Sequence, residues 1–238
     1  MKMTTLTKTT LPFAAVALLA ATSASQAAVV NVDIQGTQFG NVGPGIADYT
    51  GGLANGPIAS DNTWNYFNVG TTVPNGQSLS AGGLTFTFGT GWQGSFADGA
   101  PNNLQGDRVF APTGFAATMT ISGLDITKNY NIALIGASLN TGGFETDFTI
   151  GATTKTATAA PISGTGNGAL TFVEGDSHVL FSGISGGTGS ITFSVTDSVD
   201  PDSANGVLSG LQIEEVPEPS TTALLGLGGL ALIFRRRK

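Results

Sequence analysis

The sequence predicts an all-β fold, an antiparallel β-sandwich of jelly-roll type. Three observations predict it. Short segments of alternating apolar and polar residues recur through the body, and a period of two sends one set of side chains to each face of a strand. Turn formers punctuate these segments: the 238-residue chain contains 35 glycines and 10 prolines. No interior stretch has helical periodicity, so no helix is predicted to cover a parallel sheet, and the strands must bury their apolar faces against a second sheet.

Taken in order, the chain opens with Met-Lys-Met-Thr-Thr-Leu-Thr-Lys8, an apolar stretch from Leu11 to Ala21, and Ser25-Gln26-Ala27. A basic start, a short apolar region and a small-residue site predict a secretory signal peptide over 1–27, cut after Ala27 by signal peptidase. The β-sandwich ectodomain then spans 28–215, and 216–238 form a separate terminal signal.

Within the body, Val-Val-Asn-Val-Asp-Ile (29–34) alternates and predicts the first strand. From 35 to 62 the chain is dense in Gly, Pro, Asn and Ala, which predicts a long loop with one short strand at most. Residues 63–69 form an aromatic cluster. Leu84, Phe86 and Phe88 share one face of a strand over 84–88, and Trp92 and Phe96 follow a glycine turn. Alternation at 117–121 leads through Ser122-Gly-Leu-Asp125 into 130–135. Further strands are expected at 144–150, 169–173, 178–181, 189–195 and 207–213. No fixed-period repeat is present, which argues against a β-solenoid or an ice-binding threonine array despite the spacing of Thr154, Thr156 and Thr158.

The last part of the chain reads as an address. Pro217 and Pro219 fix the backbone on either side of Glu218, so Val216-Pro217-Glu218-Pro219 is held extended. The uncharged run from Ala223 to Phe234 would make a helix of about 18 Å, short of a hydrocarbon core of about 30 Å, so it spans only with snorkelling and local thinning. Arg235, Arg236, Arg237 and Lys238 then act as a cytoplasmic membrane stop, which places the body on the far side. This order of V-P-E-P, a Leu/Gly-rich helix and a basic cluster closely resembles the PEP-CTERM sorting signal of Gram-negative bacteria. The resemblance implies transient membrane insertion, processing by exosortase, a membrane-embedded cysteine peptidase or transpeptidase, and delivery to the cell envelope or extracellular matrix. A second resemblance concerns the body. The stretch from Met119 to Ile135, with its Ser122-Gly-Leu-Asp125 turn and Tyr130-led strand, resembles galactose-binding-like and malectin-like sandwiches, and 205–213 resemble the last strand of such domains.

Charge narrows the partners. Lys2, Lys8 and the terminal cluster supply most of the basic residues, leaving Arg108, Lys128 and Lys155 against sixteen acids, all between Asp33 and Glu218. A surface this acidic repels nucleic acid and anionic membrane, so nucleic-acid binding is excluded. The chain has no cysteine, so an exported body must be held by burial and hydrogen bonding, with bound metal the one further aid open to it.

Chemical constellations are sparse. Gly183-Ile-Ser185-Gly-Gly187 has the letters of a nucleophile elbow, yet no helix is expected after Ser185 and the single histidine, His178, precedes it. A glycine turn between hairpin strands is expected instead. Gly89-Thr-Gly91-Trp-Gln-Gly94 has dinucleotide-loop spacing but leads into no helix that could receive a pyrophosphate. His178 is expected at a surface or sheet edge rather than on a metal. Asp197, Asp200, Asp202 and Asn205 form the best oxygen-ligand group for calcium, but Ala204 and Asn205 break the helix-loop-helix spacing, so a solvated acidic turn and no cofactor are expected, with calcium the alternative. Glu145 and Asp147 point to one face of a strand, where general acid/base work would require them to straddle a sugar. Trp64 and Tyr66 share a strand face that belongs either to the core, the expected placement, or, with Trp92, to an aromatic platform for sugar rings. These features suggest an exported, non-catalytic envelope or matrix protein associated with exopolysaccharide. The alternatives are a carbohydrate-binding module using the aromatic platform and a secreted hydrolase using carboxylates.

Overall fold

The computed structural model of the protein describes residues 28–35, 56–59, 63–70, 72–97, 104, 107–137, 144–158, 171–198 and 205–217. The expected signal peptide and sorting helix lie outside these residues. Within them, strands account for the regular structure and no helix occurs, in keeping with the all-β prediction. The body is one compact unit spanning Ala28–Val216.

Strands β1 (Val29–Gln35), β2 (Trp64–Asn68), β8 (Asn129–Ile135), β11 (His178–Ser185) and β14 (Gly210–Glu215) form a five-stranded sheet in the order β11-β8-β14-β1-β2. Strands β3 (Ser78–Ala81), β4 (Leu84–Phe88), β7 (Ala117–Ser122), β9 (Thr146–Ile150), β10 (Thr153–Ala157) and β12 (Ser190–Asp197) form a six-stranded sheet in the order β10-β9-β12-β7-β4-β3. Strands β5 (Gly94–Ala97), β6 (Asp107–Pro112) and β13 (Asn205–Leu208) add a small third sheet, tied to β9 where the Val207 N–H donates to the Thr146 hydroxyl at 2.8 Å. Among the described strands all pairs are antiparallel except β1 with β2. A parallel pair needs a long crossover rather than a hairpin turn, and the chain over 36–63 supplies the length.

The main core lies between the two large sheets, because both carry period-two apolar patterns. Val32, Ile34, Ile132, Leu134, Leu211 and Ile213 come from one sheet, and Phe86, Phe88, Met119, Ile121, Phe148 and Phe193 from the other. Phe88 packs at 4.6 Å between centroids against Phe67 and edge-on at 5.4 Å against Trp92, which joins the sheets through aromatic contact. Each such side chain contributes about 1.5–3 kcal/mol by leaving water.

Two expected strands came out differently. The expected strand over 207–213 is two, β13 and β14, in different sheets. The switch falls at Ser209, whose N–H donates to the Ile135 carbonyl at 2.8 Å and whose hydroxyl donates to the Ala137 carbonyl at 2.6 Å. At 169–173, residues 169 and 170 lie outside the described part, while Phe172 and Val173 belong to no strand. The Val173 carbonyl instead accepts from Asp176 and Ser177, closing a local turn.

The outer face of the five-stranded sheet is itself covered. Trp64, Leu104, Ile135 and Ala137 form a second apolar cluster there, with Tyr66 and Phe172 packed against it. Asn31, Asp33, Gln35 and Gln212, which alternation alone would leave in solvent, are buried on this face. Gln212 behaves as a short piece of strand. Its Oε1 accepts from the Ile58 N–H at 2.7 Å, and its Nε2 donates to the Ile58 carbonyl at 3.0 Å and to Asn31 Oδ1 at 2.7 Å. Asn31 continues the network by donating from Nδ2 to the Thr63 carbonyl at 2.9 Å. The approach requires glycine at position 56, where a Cβ would stand 2.2 Å from the Gln212 amide atoms.

Candidate functional site

The residues singled out for chemistry do not converge. Trp64 is 5% exposed and Trp92 is 9% exposed, in separate apolar clusters, so the aromatic platform is not formed. The reason is physical. Trp64 covers the outside of the five-stranded sheet, whereas Trp92 plugs the main core and donates from its indole N–H to the Thr118 carbonyl at 2.7 Å. Tyr66 lies beside Trp64 on the same face, half-buried.

Asp197 closes β12 and Asn205 opens β13, while Asp200 and Asp202 lie outside the described residues. Among the described residues no group of three or more His, Cys, Asp or Glu side chains is placed to hold a metal ion. Glu145 precedes β9, and Asp147 lies on the outer face of the six-stranded sheet, accepting from the Thr156 hydroxyl at 2.5 Å. It is not at a sheet edge, since β10 flanks β9.

Gly183 to Gly187 forms neither an elbow nor a hairpin turn. Ser185 ends β11 in one sheet and Ser190 begins β12 in the other, so the glycines carry the chain between layers. Gly89 to Gly94 joins β4 to β5 without a helix.

His178 does occupy an edge strand, but it is buried rather than exposed, at 6%. Its ring meets Phe172 edge-on at 6.1 Å, and its Nδ1 lies 3.4 Å from the Ser177 hydroxyl. Burial holds its pKa below the ordinary 6.5, with the Glu174 carboxylate pulling it back up and Lys155 pushing it further down. Glu174 is held below its usual value by the hydrogen bond from Lys155, at 3.1 Å. Because the unfolded chain takes up a proton near pH 6.5 and the folded chain resists it, the His178 contribution is complete above that pH. It is lost as pH falls from there toward the lowered folded value. Thermal unfolding across this window should therefore show stability rising with pH, and His178→Phe should flatten the slope.

Two surfaces remain. The first is the outer face of the six-stranded sheet. Its outward positions are Ser78 and Ser80 on β3, Thr85 and Thr87 on β4, Thr118, Thr120 and Ser122 on β7, Ser190 to Thr196 at alternate positions on β12, Thr149 on β9, and Thr154 and Thr156 on β10, with Asp147 the sole exception. Register aligns these hydroxyls into rows across the strands. Ser78 meets Thr87, Thr120 meets Thr192, and Thr149 meets Thr154, each at 2.8 Å. A hydroxyl offers one donor and two acceptor sites, so these pairs keep further capacity for hydrogen bonding. The sequence carried this signal in its Thr-x-Thr alternation, but only the sheet order brings the strands into one array.

The second surface is the exit of the chain from the body. Strand β14 lies between β8 and β1, with Glu214 opposite both Val29 and Asn131, and Glu215 opposite Tyr130. The Val216 N–H donates to the Asn129 carbonyl at 2.8 Å, the last rung of the ladder. Pro217 has no N–H to continue it and is exposed. Lys128 and Glu215 flank the exit 3.6 Å apart, an ion pair of small worth in solvent. The V-P-E-P stretch thus begins where sheet pairing ends, with no intervening linker.

Comparisons with known proteins bear on the two parts of the chain unequally. Three solved structures share 14% identity with it: a Bacillus subtilis protein (79% of this chain, 40% of that one, TM-score 0.39), an exo-beta-1,3-galactanase from Phanerochaete chrysosporium with galactose (60% and 28%, 0.32), and the ANX2 ectodomain from Arabidopsis thaliana (81% and 50%, 0.39). The chain spans half or less of each. None of the curated proteins matches it. The tail is matched directly: residues 215–238 are a PEP-CTERM protein-sorting motif, which implies an exported protein that is membrane-anchored before exosortase processes it.

Proposed function

We propose that this protein is a non-catalytic component of the cell envelope or extracellular matrix, delivered by exosortase and associated with exopolysaccharide through the hydroxyl face of its six-stranded sheet. The observation that carries the reading is the chemistry of that face. On a chain with sixteen acidic residues, this sheet turns outward a two-dimensional array of Ser and Thr broken by one carboxylate. A surface almost free of charge suits a neutral polyhydroxyl polymer, to which it can donate and accept along many weak contacts. Strands about 4.8 Å apart repeat the hydroxyls on the scale of a single sugar unit.

The test is direct. Replacing Thr87, Thr120 and Thr192 together with valine keeps shape and β-propensity while removing one row of hydroxyls. Retention on the exopolysaccharide of the producing cell should fall several-fold, with the stability change within about 0.5 kcal/mol per site. Unchanged retention would remove this face from the account. Release of new sugar ends from that polymer by the wild-type protein, and its loss in Glu145→Gln or Asp147→Asn, would replace the non-catalytic reading with hydrolysis.

A further inference from the structure

The two ends of the body emerge side by side. Val29 opens β1 directly opposite Glu214, and β14 ends one residue later, so Ala28 and Val216 leave from the same end of the sandwich. The turns at this end are tied together. The Tyr130 hydroxyl accepts from the Asp125 N–H at 2.8 Å, and the Gly186 N–H donates to the Lys128 carbonyl at 2.8 Å. A hydrogen bond from the Thr127 hydroxyl, with a second from its backbone N–H, holds the Asp125 carboxyl below its usual pKa. Gly123 and Leu124 both donate to the Gly189 carbonyl at 3.1 Å. Ile126 stands out from these turns at 63% exposure.

We infer that this end of the sandwich faces the bilayer surface in the membrane-anchored precursor, and that processing releases it. The inference rests on the sorting reading and on the length of chain beyond the body. Val216 is still hydrogen-bonded to the sheet, and only 218–222 separate Pro217 from the apolar run that begins at Ala223. Fully extended, that segment reaches at most about 18 Å. A tether this short holds the turn at 123–128 near the headgroups by its length alone, against the repulsion between an acidic body and an anionic bilayer, and leaves the opposite end in solvent. Strand β7, six residues or about 20 Å long, separates Ile126 from Phe115, which is 64% exposed beyond its far end. Exposure of the two side chains is thus matched while their distance from the tether differs.

The chain has no cysteine, so single-cysteine variants report position without background. Full-length Ile126→Cys and Phe115→Cys are each made in strains with and without exosortase and treated with a bulky, membrane-impermeant maleimide. The precursor that accumulates without exosortase should label several-fold more slowly at position 126 than at position 115, and the processed protein should label equally at both. Equal labelling in a precursor that fractionates with the membrane would overturn the orientation while leaving sorting intact. A chain that fractionates identically in the two strains, with its tail retained in both, would overturn the sorting reading and this inference with it.

Discussion

A chain in which Pro217, Glu218 and Pro219 are all replaced by alanine is expected to stay full-length and membrane-bound, with mature protein reduced to background. Each proline fixes φ and disfavours helix in the residue before it, which is why the sequence predicts an extended stretch here. Alanine is the best helix former, so the replacement removes this bar to helix and, with it, the extended segment that the sequence predicts. The body itself should be indifferent. Pro217 is exposed and beyond the last rung at Val216, so the variant's unfolding midpoint should match that of the wild type. Quantitative immunoblotting of membrane and released fractions checks the first half, and thermal unfolding of the soluble body the second. Processing at the wild-type rate would mean that these residues are not what the enzyme reads.

The largest effect within the body is expected at Gln212. Changing it to Glu keeps the shape but turns an amide that gives two hydrogen bonds and takes one into an acceptor-only carboxylate. The Ile58 carbonyl and Asn31 Oδ1 would then face negative charge in a site that is fully buried. The expected loss is about 3 kcal/mol or more, because a buried charge left with the Ile58 N–H as its donor, and facing two acceptors, costs more than a missing hydrogen bond. Gln212→Met, which removes the bonds without adding charge, should cost about 1–3 kcal/mol. Urea unfolding separates the two. The penalty of the Glu variant relative to the Met variant should also shrink at acid pH, where the carboxyl is protonated and donates again.

Gln212 also illustrates what the sequence could and could not reveal. In Gly-Leu-Gln-Ile-Glu the alternation is plain, and it correctly places Leu211 and Ile213 in the core. Alternation says which residues share a face, not whether that face meets water. Asn31, Gln212 and Trp64 are covered because Ile58, Leu104 and Phe172 fold back over the sheet; Ile58 and Leu104 come from segments with no periodic signal, and the strand expected at 169–173 gave no hint that Phe172 would lie here. For the same reason alternation could not show that Trp64 and Trp92 end in different clusters. Isolated alternating runs such as 84–88 and 117–121 were legible as strands, whereas β3, β5, β6 and β10 are short or lie among turn formers and carry too little pattern to stand out. His178 was legible as an edge-strand residue, but its burial depends on Phe172, six residues earlier and outside any strand. The tail was the most readable part, because its order of prolines, apolar run and basic cluster is a linear signal read by another protein and needs no tertiary contact to be recognised.

The measurement that tests the central claim most directly is the intact mass of the protein recovered from envelope and extracellular fractions of matched strains with and without exosortase. The account expects a species lacking the apolar run and the Arg235–Lys238 cluster where exosortase is present, and a membrane-held species retaining both where it is absent. The same C-terminus and the same fractionation in the two strains would contradict it.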